Sequence, residues 1–282
     1  MSKKFKKKNK NPNKKFHFHN SKKNNPNNNI FKKNQDNKNN KNNPNNKPIK
    51  KSSKEILSSK ISNSLDDAKF RLLNEKLYKS SSAEALNYFQ SNLDDFITYH
   101  KGFSSQAKKW PSNPNNLILK SLLLPKYKKK AIADIGCGEG ALAKNLIPLG
   151  YNIKSFDLVS LNDNVIVADM KNLPLENNSI DLAIYCLSLM NTNFIPFIAE
   201  ANRIVKKEGK ILVAEISSRI VEMNKFLNVF EKYGFKLIKQ RNIHDYFDMF
   251  TFKKIKDCKI SPKDQELEDT YDILKPCLYK KR

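Results

Sequence analysis

The stretch AIADIGCGEGALAKN, residues 131–145, decides the fold. Its first five residues, apolar apart from Asp134, read as a buried strand. Gly136-Cys137-Gly138-Glu139-Gly140 reads as a tight turn, and a helix starts at Ala141. A glycine turn between a strand and a helix offers backbone N–H groups and a helix N-terminus to a ligand. Gly136, Gly138 and Ala141 also fit the dinucleotide spacing G-x-G-x-x-G/A. By itself, then, the loop is open to a dinucleotide, to another nucleotide-like cofactor, or to nothing.

Working outward, strands and helices alternate. IKSFDL and VIVAD supply the second and third strands, and IDLAIYCLSL the fourth. A helix near FIPFIAEANRIV follows, then a fifth strand, GKILVAEI, and a helix, VEMNKFLNVFEKYG. FKLIKQ and YFDMFTFKKI close the series without a helix between them, so one of the two is expected to run antiparallel at that edge. Such alternation predicts an α/β fold, a mostly parallel seven-stranded sheet with helices on both faces. Upstream, SLDDAKFRLLNEKLYKS puts Phe70, Leu73 and Leu77 on one helical face, and Ser81 and Glu84 stand at capping-box spacing. DDFITYHKGFSSQAKKWPSNPNN, dense in aromatics and broken by glycine and proline, reads as too irregular for a long helix.

In open α/β sheets, ligands sit at the carboxyl ends of the strands. The second strand ends in Asp157, whose several lone pairs suit both ribose hydroxyls. The third ends in Asp169-Met170, an acid and an apolar residue able to grip an adenine edge. Asp134 is placed to orient the loop or to meet a cofactor's amino group. A dinucleotide would need a second nucleotide half, yet the next strand-end acid, Asp169, follows Asp157 by only 12 residues. The set favours S-adenosylmethionine, whose enzymes commonly carry a D-x-G-x-G-x-G loop.

Composition points to a polyanionic partner. Of residues 1–50, 16 are Lys, 17 are Asn and only Asp36 is acidic, so this arm carries +15 of the formal +25. It has too little apolar surface to offset its chain entropy and is expected to be a disordered basic arm. The rest of the chain is still +10, which fits nucleic acid. KKFKKKNKNPNKK is a weak nuclear or nucleolar address. No secretory segment or run of 18 apolar residues is visible, so no membrane partner is expected. Cys137, Cys186, Cys258 and Cys277 form no CxxC pair and read as reduced thiols, not a metal site. The expected divisions are 1–55, the arm; 56–100, a helical extension; 101–256, the catalytic domain; and 257–282, a basic tail.

FITYHKGFSSQAKKWPSNPNN, SFDLVSLND, VADMKNLPLENNSIDLAIYCLSLMNTN and EANRIVKKEGKILVAEISSR together resemble the ribosomal RNA-processing protein 8 family, called nucleomethylin in animals. The resemblance runs from about Phe96 to Phe252. It implies a Rossmann-like class I methyltransferase fold and a nuclear, nucleolar S-adenosylmethionine-dependent enzyme. The activity implied is methylation of N1 of an adenosine in large-subunit ribosomal RNA. Carried over residue by residue, the cofactor contacts implied are His100, Gly136, Asp157, Asp169, Met170 and Cys186. The arm does not resemble the N-terminal region through which animal members silence chromatin. KKEG at 206–209 departs from a usual proline-glycine turn, with Gly209 keeping the turn residue.

Other chemistries lose support. Cysteine-dependent methylation pairs a cysteine with a preceding proline, but Cys186 follows Tyr185; its apolar strand suggests packing. Exocyclic-amine enzymes carry an Asn/Asp-Pro-Pro-aromatic turn after the fourth strand, where this chain has Ser188-Leu189-Met190-Asn191. Phe103 and Trp110 read as core, with base stacking as the lesser alternative, and Glu215 equally as a substrate-side or a surface acid. N1 of adenine is already a neutral nucleophile, so no general base is assigned. The alternatives are a methyltransferase acting on a small molecule or a protein, and a binding module with a vestigial cofactor fold.

Overall fold

The computed structural model describes residues 52–258 and 272–279; the basic arm lies outside them. Seven strands run β1 (Ala131–Ile135), β2 (Asn152–Asp157), β3 (Val165–Val167), β4 (Ile180–Cys186), β5 (Val205–Ile216), β6 (Phe235–Ile243) and β7 (Phe247–Lys254). Their order in the sheet is β3-β2-β1-β4-β5-β7-β6. The first five pair in parallel, while β7 is antiparallel to both β5 and β6. The antiparallel strand is therefore not the edge: β7 inserts between β5 and β6. This is the Rossmann-like class I methyltransferase arrangement.

Alternation along the central strands builds the layers. Ile132 of β1 and Leu182 and Ile184 of β4 face α4 (Pro114–Leu122) and α5 (Ala141–Leu146). Ala133, Ile135, Ala183 and Tyr185 face α6 (Ile195–Ile204) and α7 (Met223–Lys232) on the other side. Burial of both faces explains the near-continuous apolar runs of β1 and β4.

Three helices precede this core: α1 (Ser53–Lys79), α2 (Ser82–Ser91) and α3 (Leu93–Ala107). Phe70, Leu73 and Leu77 are buried as their spacing predicts, and Ser81 and Glu84 close a capping box. The tract expected to be irregular is instead α3, which runs unbroken through Tyr99, His100, Gly102 and Phe103. Gly102 marks close packing, not a break. A Cβ there would come within 2.4 Å of the Phe70 ring, so only glycine lets α3 lie this close to α1.

The expected boundary at 100/101 falls inside α3, and the helices share a core with Leu158 and Val159 after β2. Nor does the end of the chain behave wholly as a tail. Ile273 and Leu274 enter the main core, Leu274 bridges to Ile220, and Tyr279 packs on Phe70. In the KKEG segment, Glu208 takes the left-handed conformation (φ 67°), not Gly209.

Candidate active site

The glycine loop leaves β1 with Gly136 and Gly138 in the left-handed region, φ 72° and 59°. A Cβ on Gly136 would meet Ser188 Cβ at 2.3 Å, and one on Gly138 would meet His100 Cε1 at 3.1 Å. The loop is thus cradled between the turn after β4 and α3. Its backbone is also held by β2: the N–H groups of Gly136 and Cys137 both donate to the Phe156 carbonyl. The Gly138 N–H donates to Asp157 Oδ2 at 2.7 Å, and the Leu158 N–H to Oδ1 at 2.8 Å.

A cavity of about 1300 Å3, counting its open mouth, lies over these elements. Five of the six residues implied for the cofactor line it: His100, Gly136, Asp157, Met170 and Cys186. Asp169 is not on its wall. Its Oδ2 accepts from the Ser82 hydroxyl at 2.9 Å and its Oδ1 from the Lys171 N–H at 3.0 Å, tying β3 to the start of α2.

The electrostatics of the cavity floor are unusual. Asp134 is buried and Asp157 half-buried on the cavity wall, and none of the described lysines or arginines is ion-paired to either. Burial and the nearby Asp157 push the Asp134 carboxyl up to about 7. Burial pushes Asp157 up to about 6 against its two N–H donors. Two neighbouring carboxylates without a cation favour a positively charged ligand. Burial holds the His100 imidazole down at about 4, so it is neutral at pH 7 and adds no opposing charge. Burial pushes the Cys186 thiol up, which keeps it protonated and suits packing, as its sequence context suggests.

The residues fit S-adenosylmethionine: a glycine cradle that a Cβ would fill, an acid at the end of β2, and a floor that lacks positive charge. Glu215 corrects both of its sequence readings. It is 1% exposed, neither facing substrate nor on the surface, and pairs with the equally buried Arg219 at 2.6 Å. Arg219 also donates to the carbonyls of Leu189 (2.8 Å) and Lys275 (2.9 Å) and lies over the Tyr78 ring. Phe103 and Trp110 are core only in part: they pack against buried apolar clusters. Both are partly exposed and line the cavity. Sequence reasoning also missed Leu187, which turns left-handed (φ 59°) directly after β4. No local residue pattern announces that turn.

A family model described as "Hypothetical methyltransferase" matches residues 56–282. The chain is 44% identical over 245 residues to Ribosomal RNA-processing protein 8 of Dictyostelium discoideum, covering 82% of this chain and 62% of that protein. It is 42% identical over 226 residues to the Mus musculus protein of the same name, covering 80% and 48%. The chain belongs to the ribosomal RNA-processing protein 8 family of S-adenosylmethionine-dependent methyltransferases. Within that family it is also 37% identical over 236 residues to the 25S rRNA (adenine(645)-N(1))-methyltransferase of Schizosaccharomyces pombe, covering 80% of this chain and 72% of that one. This family member spans less than two thirds of the length of the Dictyostelium and mouse proteins.

Proposed function

We propose that this chain methylates N1 of an adenosine in large-subunit ribosomal RNA, using S-adenosylmethionine, in the nucleolus of the nucleus. The observation that carries the cofactor is the pair of carboxylates, Asp134 and Asp157, beneath a glycine cradle. The acceptor rests on the relative whose name specifies adenine N1 of 25S rRNA.

When bound, S-adenosylmethionine supplies an electrophilic sulfonium methyl group. Asp157 is assigned the ribose hydroxyls, for which both its oxygens keep unused lone pairs. Gly136 gives close backbone approach, Met170 and Cys186 give apolar walls, and neutral His100 closes the cradle from α3. Asp169, off the cavity wall and bonded to the Ser82 hydroxyl, is assigned the support of Met170 and not a direct contact to the cofactor. N1 lies on the Watson–Crick edge, so the target must be unpaired or flipped out. Phosphate contacts from the basic surface and arm would hold the RNA without reading its sequence.

The test is primer extension on large-subunit RNA from cells with and without this protein, backed by nucleoside mass spectrometry. One reverse-transcription stop should vanish, with one N1-methyladenosine, and return when protein and S-adenosylmethionine are added to the unmodified RNA. A stop that persists without the protein contradicts the reading. So does a gained methyl group on an exocyclic amine, a ribose or a protein.

A further inference from the structure

The cavity extends beyond what a cofactor held at Asp157 needs. One end lies over the carboxyl ends of β2 and β1, at Asp157, Gly136 and Gly138. The other continues past β4 to Leu187, Phe103 and Trp110. Trp110 in turn meets Phe247, the first residue of β7, with ring centroids 5.1 Å apart. Phe247 pairs with Ile216, so it stands at the same edge of the sheet. From β2 to β7 is four strand spacings, roughly 19 Å. A cofactor whose ribose is held at Asp157 would leave the far end of the cavity, at the aromatic wall, for the acceptor.

That wall is built to present rings. Phe103 and Trp110 meet edge to face at 5.5 Å, and Trp110 also contacts Tyr246 at 6.3 Å. Tyr246 is delivered by the β6–β7 turn, where His244 and Asp245 are both left-handed (φ 53° and 55°). Leu187 packs in the same apolar cluster as Phe103 and Trp110, a bulky residue held in the left-handed region, a strain that tends to gather at functional sites. Lys108 and Lys109, exposed at the end of α3 immediately before Trp110, supply positive charge beside it.

We propose that this aromatic end is the acceptor-base subsite, with the flipped adenine stacked on Trp110 and the adjoining backbone phosphates met by Lys108 and Lys109. The assignment rests on the acceptor reading given above. Stacking on an aromatic face compensates a base for leaving its helix. N1 methylation also makes the adenine ring cationic, and a π face attracts that charge.

Trp110 is the only tryptophan in the chain, so its fluorescence reports on this wall alone. With S-adenosylhomocysteine present, the full-length protein is titrated with two short oligoribonucleotides. One carries a single unpaired adenosine; the other has an abasic site in its place. Quenching is expected only with the adenosine. In parallel, Trp110→Ala should lower kcat/KM on transcribed large-subunit RNA by roughly 5- to 150-fold, the range for losing one stacked base. Its affinity for S-adenosylhomocysteine should stay within about twofold of wild type, and Trp110→Phe should recover most activity. Equal quenching by both oligonucleotides overturns the subsite. So does wild-type kcat/KM in Trp110→Ala, or a parallel loss of cofactor affinity in that variant while it remains folded. The fluorescence arm needs no variant and no turnover. Adenosine-dependent quenching with a product methylated elsewhere than N1 would uphold the subsite and overturn the acceptor reading.

Discussion

Two ends of the same sheet edge hold buried acids, and they are treated in opposite ways. At β1 and β2, Asp134 and Asp157 stand without a cationic partner among the described residues, and their carboxyls are pushed up to about 7 and about 6. At β5, Glu215 is buried as deeply as Asp134 but is matched by Arg219 at 2.6 Å. The matched acid braces structure: through Arg219 it holds the Leu189 carbonyl after β4 and the Lys275 carbonyl near the end of the chain. The unmatched acids lie on a cavity floor and are stabilised only when something positive arrives. Balance of charge, more than burial, separates the ligand end from the scaffold end.

The largest effect is expected at the glycine cradle. Gly136→Arg places a long side chain where even a Cβ would collide with Ser188. Binding of S-adenosylmethionine should fall below detection in calorimetry, and retention of wild-type affinity would move the site elsewhere. On the scaffold side, Arg219→Met leaves Glu215 buried without its partner. Chemical denaturation should show a loss of about 3–5 kcal/mol, the usual cost of orphaning a buried charge. A loss under about 1 kcal/mol would deny the brace.

A subtler change sharpens the contrast by its sign. Because the folded-state pKa of Asp134 lies above its ordinary value, ionised Asp134 destabilises the ligand-free fold, increasingly so as pH rises from about 4 to about 7. Asp134→Asn should therefore stabilise the ligand-free protein at pH 8. The lift from 3.8 to about 7 sets a ceiling of about 4 kcal/mol, and the gain should shrink toward pH 4. The same variant should bind S-adenosylmethionine more weakly. Destabilisation at pH 8 would mean that Asp134 is satisfied in the free protein.

The smallest effect concerns the arm. Removing residues 1–51 should leave cofactor binding intact and flatten the dependence of log K for RNA on log salt. An unchanged slope would leave the folded part as the whole electrostatic contact.

Much of this contrast was legible in the sequence, and the exceptions have physical causes. The glycine loop, Asp157 and Met170 could be read because strand ends recur at the same edge of an alternating sheet. α3 could not. Gly102 and the aromatic run look like helix breakers until the Phe70 ring is seen in the space of the missing Cβ. Glu215 was ambiguous because Arg219 is four residues away across a strand end and a short turn, where no periodicity predicts that two charges will be buried together. Trp110 looked like core because the β6–β7 turn that brings Tyr246 beside it lies more than a hundred residues downstream. Asp169 was legible as a strand-end acid, but its bond to Ser82 depends on how α2 docks.

The most direct test of the central claim is calorimetric titration of the full-length protein with S-adenosylmethionine and, separately, with NAD, at pH 8 and pH 5. Binding of S-adenosylmethionine is expected at pH 8, weaker by about tenfold or more at pH 5 as Asp134 and Asp157 take up protons, with no heat from NAD. Heat from NAD with none from S-adenosylmethionine, or an affinity for S-adenosylmethionine that rises as pH falls, would contradict that claim.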